Sequence, residues 1–183
     1  MLRKKLFWAL LALAIAFASC TICHTYGPFM GKVVDAKTGL PIKGAVVLIG
    51  FHTMAITPGG WSWSFADAIE TTTDDKGEFR IPPKFVNSFR IFAVWDDDCK
   101  LSIFKPGFGA FPEHPQTFCE PNLNRARIIP ENEYVTYYLP KLHTLEEREK
   151  NLMKISVPGG ITTDKMQRLR KMEREEYKYV FGP

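Results

Sequence analysis

Four groups of residues in this chain have types and spacings that could do chemistry. Cys20-Thr21-Ile22-Cys23-His24 spells C-x-x-C-H, the attachment signature of a c-type haem. In such a site Cys20 and Cys23 add to the vinyl groups and His24 ligates the iron. His143-Thr144-Leu145-Glu146 reads H-x-x-E, half of a zinc-peptidase ligand set. A third ligand is normally a downstream His, and none follows His143, so zinc catalysis is not expected. Asp96-Asp97-Asp98 could contribute to a Ca²⁺ site, but no D-x-D-x-D-G loop accompanies it, and a solvated turn is the plainer reading. Trp61-Ser62-Trp63-Ser64-Phe65 alternates strictly, which puts three aromatics on one strand face and two serines on the other. That segment suits a stacking platform for sugar rings or an anchor for a partner protein. A core-facing or edge strand whose aromatics cover the fold is the competing reading, and it carries more weight.

No catalytic residue emerges. There is no G-x-S-x-G elbow, and none of the six Ser pairs with a His in any recognisable pattern. His52 and His114 sit among loop signals, as solvated or hydrogen-bonded residues rather than ligands. No metal site and no cofactor is expected, covalent haem being the one alternative.

The same Cys20 has a second reading. Arg3, Lys4 and Lys5 precede a 13-residue apolar run, Leu6 to Ala18, too short to span a bilayer but right for a signal-peptide core. Small residues Ala18 and Ser19 then lead into Cys20, as in a lipoprotein signal that ends in a diacylated Cys. An A-x-A cleavage after Ala18 is also open, as is a plain Cys20–Cys23 disulfide or free thiols. The lipid anchor leads among these. Each reading requires export, into an envelope compartment that permits disulfides. Cys99 and Cys119, twenty positions apart, are expected to pair there and staple a long loop, with free thiols as the alternative.

The remaining residues must fold around these groups. The 183-residue chain carries a formal charge of +4, and three of its cations are those of the leader. A body so near neutrality has no footprint for nucleic acid. Its short apolar runs alternate with turn signals from Gly31 to Leu139. Strands are expected at 32–35, 45–51, 62–65, 69–73, 78–81, 89–95, 100–104 and 134–139, seven or eight in all, as in a β-sandwich. Thr38-Gly39 with Pro41, and Asp74-Asp75-Lys76-Gly77, are expected as hairpin turns. The Pro/Gly-rich stretch 106–130 is a loop long enough to need a reason.

Beyond Pro140 the pattern turns helical. Thr144 and Glu147 form a capping box for a helix to about Ile155, Pro158-Gly159-Gly160 breaks it, and Thr163-Asp164 is expected to cap a second helix to about Val180. Leu152, Ile155, Met166, Leu169 and Met172 make a modest apolar stripe. With 10 basic and 7 acidic residues interleaved, this two-helix tail reads as docked on the sandwich or on a partner, with a membrane-surface helix as the weaker alternative.

Gly31 to Val47, GKVVDAKTGLPIKGAVV, resembles the opening of the carboxypeptidase regulatory-like domain family. Thr73 to Phe79, TDDKGEF, is similar to that family's T-D-x-x-G-x-F turn, and Lys105-Pro106-Gly107-Phe108 to its late P-G-aromatic element. The resemblance runs from Phe29 to about Phe108, interrupted by the insert 52–68 and followed by the atypical loop 108–130. It implies a transthyretin-like, seven-stranded β-sandwich acting as an accessory or interaction module, not as a catalyst. The layout is similar to small bacterial envelope proteins that carry such a domain almost alone. The expected organisation is a signal peptide (1–19), a short linker (20–28), the sandwich (29–140) and the helical tail (141–183). The expected protein is non-enzymatic, lipid-anchored to a membrane, and faces the periplasm or cell surface. Its expected partner is an envelope protein or a glycan, such as peptidoglycan, met at Trp61, Trp63 and Phe65.

Overall fold

A computed structural model describes residues 2–19, 23–90, 93–121 and 127–182. The chain runs α1 (Leu2–Ser19), β1 (Cys23–Tyr26), β2 (Phe29–Asp35), β3 (Val46–Thr57), β4 (Gly60–Thr72), β5 (Glu78–Ile81), β6 (Lys84–Asn87), β7 (Ala93–Trp95), β8 (Lys100–Phe104), β9 (Phe118–Glu120) and β10 (Tyr134–Leu139). Then come α2 (Leu145–Leu152), a 3₁₀ turn (Thr163–Lys165) and α3 (Gln167–Phe181). Strands dominate, as expected. One sheet has the order β5-β2-β10-β9. In the other, β3 pairs along its whole length with β4, and on its opposite edge first with β8 and then with β7. A β1-β6 ribbon flanks them.

One core joins the two sheets. Val47, Ile49 and Phe51 of β3 and Ile103 of β8 meet Phe29, Val33, Val135 and Tyr137 of the facing sheet, all of them fully buried. This is a sandwich arrangement. Within it, Gly31 lets β2 approach β10: a Cβ there would lie 2.3 Å from the Val135 carbonyl oxygen. The two expected hairpin turns are tied by aspartates. Asp35 Oδ1 accepts from the amides of Lys37 and Thr38, and Asp74 Oδ1 from those of Lys76 and Glu78, so the turns form as read. However, β2 and β3 lie in different sheets, as do β4 and β5. The first turn closes a short antiparallel return, with the amides of Asp35 and Ile42 donating to the carbonyls of Leu40 and Val33, before the chain crosses; the Asp74 turn lies between strands of different layers. Turn chemistry is local and does not report which sheet receives the next strand.

The tail lies on the outer face of the second sheet. Val46 and Leu48 of β3, with Ala68 of β4 and Phe104 of β8, bury against Ile161, Met166 and Leu169. Thus β3 is covered on both sides. The capping box forms, with Thr144 Oγ1 accepting from the Glu147 amide. Thr163-Asp164 does not cap α3. Instead Glu70, reaching from β4, accepts from the amides of Arg168 at 2.9 Å and Leu169 at 2.9 Å. A carboxylate on a neighbouring strand satisfies the exposed helix N-terminus better than the local residues do.

The tail is also locked by polar contacts. Asn151 accepts from the Ala110 amide and donates to the Phe108 carbonyl. Glu176, fully buried, receives two bonds from the Arg148 guanidinium and one from the Gly107 amide. Arg148 also stacks 3.6 Å over the Tyr179 ring. Arg148→Met strands the Glu176 carboxylate and should lower unfolding free energy in urea by about 3–5 kcal/mol. The double variant Arg148→Met/Glu176→Leu should recover most of that loss. Equal stabilities for the single variant and the native chain would show that the pair does not hold the tail.

Candidate functional site

The site begins with an irregularity in β4. Phe51 pairs with Asp67 but His52 pairs with Phe65, so Ala66 is an extra residue, a bulge. Its consequence follows from the two-residue period of a strand. Ile69 and Ala66 pack on the core between the sheets, whereas Phe65 packs on the outer, tail-side cluster. Trp63 and Trp61 follow Phe65 onto that outer face, opposite Met54 and Ile56. The expected alternation holds, and β4 is an edge strand. The core-facing reading is corrected: the bulge turns the aromatics away from the core, leaving Trp61 54% and Trp63 55% exposed.

A cleft of about 840 Å³ opens beside Trp63. Its floor is the outer face of the sheet, from Phe65, His52, Lys100 and Ser102. One wall is the tail segment 156–160, and the other is Pro112-Glu113 with Arg127-Ile128 from the long loop. The long loop therefore has a structural reason, and so does the break between the helices. Gly160 has φ +83°, and a Cβ there would lie 2.6 Å from that of Phe65, so the glycine lets the wall close on the aromatic.

Several polar groups of the cleft are held by the protein itself, while His52 Nδ1 is buried without a partner among the described residues. His52 Nε2 lies 2.9 Å from the Gly159 carbonyl oxygen, which can only accept, so Nε2 carries the proton. Ser102 Oγ donates to the Ser156 carbonyl at 2.8 Å. Arg127 meets Glu113 at 2.8 Å within the long-loop wall, and Lys100 stands 3.9 Å from both Asp96 and Asp98. Hydroxyl and imidazole each donate to backbone rather than to one another. What the cleft offers is an aromatic rim, a floor that mixes Phe65 with polar side chains, and an ion pair at its lip, an arrangement suited to recognition.

The other expected sites are placed as follows. Cys20, the proposed lipid anchor, lies outside the described residues. Cys23 is exposed at the start of β1. The His24 ring packs 4.3 Å from that of Tyr26 and 5.7 Å from that of Trp95. Residues 23–26 are an extended strand paired with β6, and the imidazole belongs to an aromatic cluster; the rest of the C-x-x-C-H motif lies outside the described residues. Cys99 and Cys119 are both buried in the core but are separate thiols, which corrects the expected pairing. β9, unforeseen within the long loop, places Cys119 against Tyr137 of β10. Hydrogen bonding of that strand holds the loop without a covalent staple.

Asp96 is buried rather than solvated, and its carboxylate accepts from the Asp98 amide. Among the described residues no cluster of three metal-ligating side chains forms. His143 and Glu146 do not converge on a site: Glu146 pairs with Lys150 on its own helix. His114 is a loop residue whose Nδ1 accepts from the Gln116 amide, and burial, aided by nearby Lys154, lowers its proton affinity. Sequence reasoning missed Glu113, Arg127 and the Ser156–Gly160 wall, because only the fold brings them to Trp63.

Searches against family models, curated proteins and solved structures returned no match to the chain.

Burial, the largest influence, and the neighbouring acidic groups push the Cys99 thiol far above its ordinary pKa. In the native protein, iodoacetamide should therefore modify Cys23 and spare Cys99 and Cys119 until denaturant is added. Intact mass checks this. A pair that stays unmodified in denaturant and reacts only after reduction would restore the disulfide.

Proposed function

We propose that this chain is an exported, lipid-anchored and non-catalytic binding module of the cell envelope, which takes its partner at the cleft beside Trp63. We place it with the carboxypeptidase regulatory-like domains as a transthyretin-like sandwich. Its resemblance residues support that placement by what they do here. Gly31 admits a neighbouring strand, and Asp35 and Asp74 tie turns, so they serve the scaffold and leave no reactive group free.

The observation that carries the binding reading is the half-exposed Trp63 indole at the mouth of a cleft walled by two otherwise unexplained elements. Exposed aromatic area of this kind marks interaction sites. The export reading rests on the basic residues and apolar run of the leader. In α1 the side chains of Leu6, Phe7, Trp8 and Leu10 are exposed, as suits a segment that is recognised and removed. Among the described residues no helix is long and apolar enough to cross a membrane.

A glycan is the second reading, favoured by a specific arrangement. Trp63 offers a ring face, and Arg127 with Glu113 in the long-loop wall offers a donor and an acceptor for hydroxyls. Either partner class should respond to one substitution. Trp63→Ala is expected to weaken capture of the envelope partner, or of soluble peptidoglycan fragments followed by calorimetry, at least tenfold while leaving the circular dichroism spectrum unchanged. Undiminished binding by a folded Trp63→Ala protein would remove the cleft from the function.

A further inference from the structure

The tail covers only part of the outer face. Past His52 and Phe65 the sheet continues with Met54, which pairs with both Trp63 and Val94, and then with Ile56 opposite Trp61. Directly opposed residues share a face, so these five side chains form one patch. Ile56 is 75% exposed and Val94 48%. Phe89, also exposed, belongs to the other side of the sheet, in a hollow with Thr53, Ala55, Ser64, Arg90 and Ala93. Among the described residues the pairing of β7 with β3 runs from Thr53 to Ala55. From Gly44 to Ala66 there is no Asp, Glu, Lys or Arg.

The chain enters the fold at this same end. Tyr26 stacks on Phe51, while His24, one pleat earlier, lies against Trp95, which pairs with Thr53. Going backward along β1 is therefore going toward the hairpin tip. Cys23 is exposed there, and three residues from it lies Cys20, within a reach of about 10 Å for an extended chain.

We infer that the β3–β4 hairpin tip rests in the membrane interface beside the acylated Cys20, with Ile56 and Trp61 entering it and Val94 along its flank. The inference rests on the lipid-anchored reading above. A bilayer is the occupant because so short a tether brings this end of the sandwich to the lipid surface before any other partner can reach it. Tryptophan favours that interface, and an uncharged tip has no ion to desolvate there. The division of labour along the hairpin is simple: Trp63 borders the cleft, and Ile56 and Trp61 lead away from it.

The test uses mature protein purified from membranes, its intact mass measured, then reconstituted in phosphatidylcholine vesicles with and without dibrominated acyl chains. Comparing native protein with Trp61→Phe isolates the Trp61 emission. Bromination should remove at least half of that share, and the variant should stay anchored. An acylated protein whose Trp61 emission ignores bromination overturns the inference and leaves the anchor standing; sedimentation then shows whether a second copy covers the tip. A protein that lacks the acyl mass yet is quenched on added vesicles overturns the anchor and keeps the hairpin contact. Absence of both effects overturns both.

Discussion

The rest of the structure depends on β3 being buried on both faces. Val47, Ile49 and Phe51 look into the core between the sheets, while Val46 and Leu48 look into the layer made by the tail. Each fully buried side chain of this size contributes about 1.5–3 kcal/mol, and a strand of alternating inward and outward apolar residues needs two covers to collect it. The facing sheet supplies one cover. The tail supplies the other, and Glu70, Asn151 and the Arg148–Glu176 pair fix it in place. Without that second cover Val46 and Leu48 would face water. The tail is thus part of the fold.

The bulge at Ala66 sets where that second layer ends. After it, β4 sends Ala68 outward beneath the tail. Before it, the phase is the opposite one, and Phe65, Trp63 and Trp61 take the outward positions. Phe65 is the last to find cover, under Gly160. Trp63 meets open space, and the cleft lies where the tail segment and the long loop part around it. The recognition surface is a product of one extra residue in one strand.

Much of the scaffold was legible in the sequence because its causes are local. The Asp35 and Asp74 turns, the Thr144 capping box and the W-S-W-S-F alternation each involve residues within a few positions of one another. What was not legible depends on distant partners. β1 was hidden because Cys23-His24 suggested chemistry before it suggested a strand, and it exists by pairing with β6, itself a four-residue strand after two prolines. β9 is three residues held by β10. No pattern in residues 60–72 marks the Ala66 bulge, since a one-residue slip leaves the alternation on either side intact. The Glu70 cap of α3 spans about a hundred positions. For the site, the aromatics could be named in advance, but not their exposure, nor the Glu113–Arg127 pair opposite them.

The central claim is that the bulge directs the hairpin aromatics outward, away from the sandwich core. Acrylamide quenching of chains that each retain one tryptophan tests it most directly. Trp63 alone and Trp61 alone should be quenched readily with red-shifted emission, and Trp95 alone should be protected. Protection of Trp63 and Trp61 to the level of Trp95, in the protein without ligand or lipid, would contradict the account.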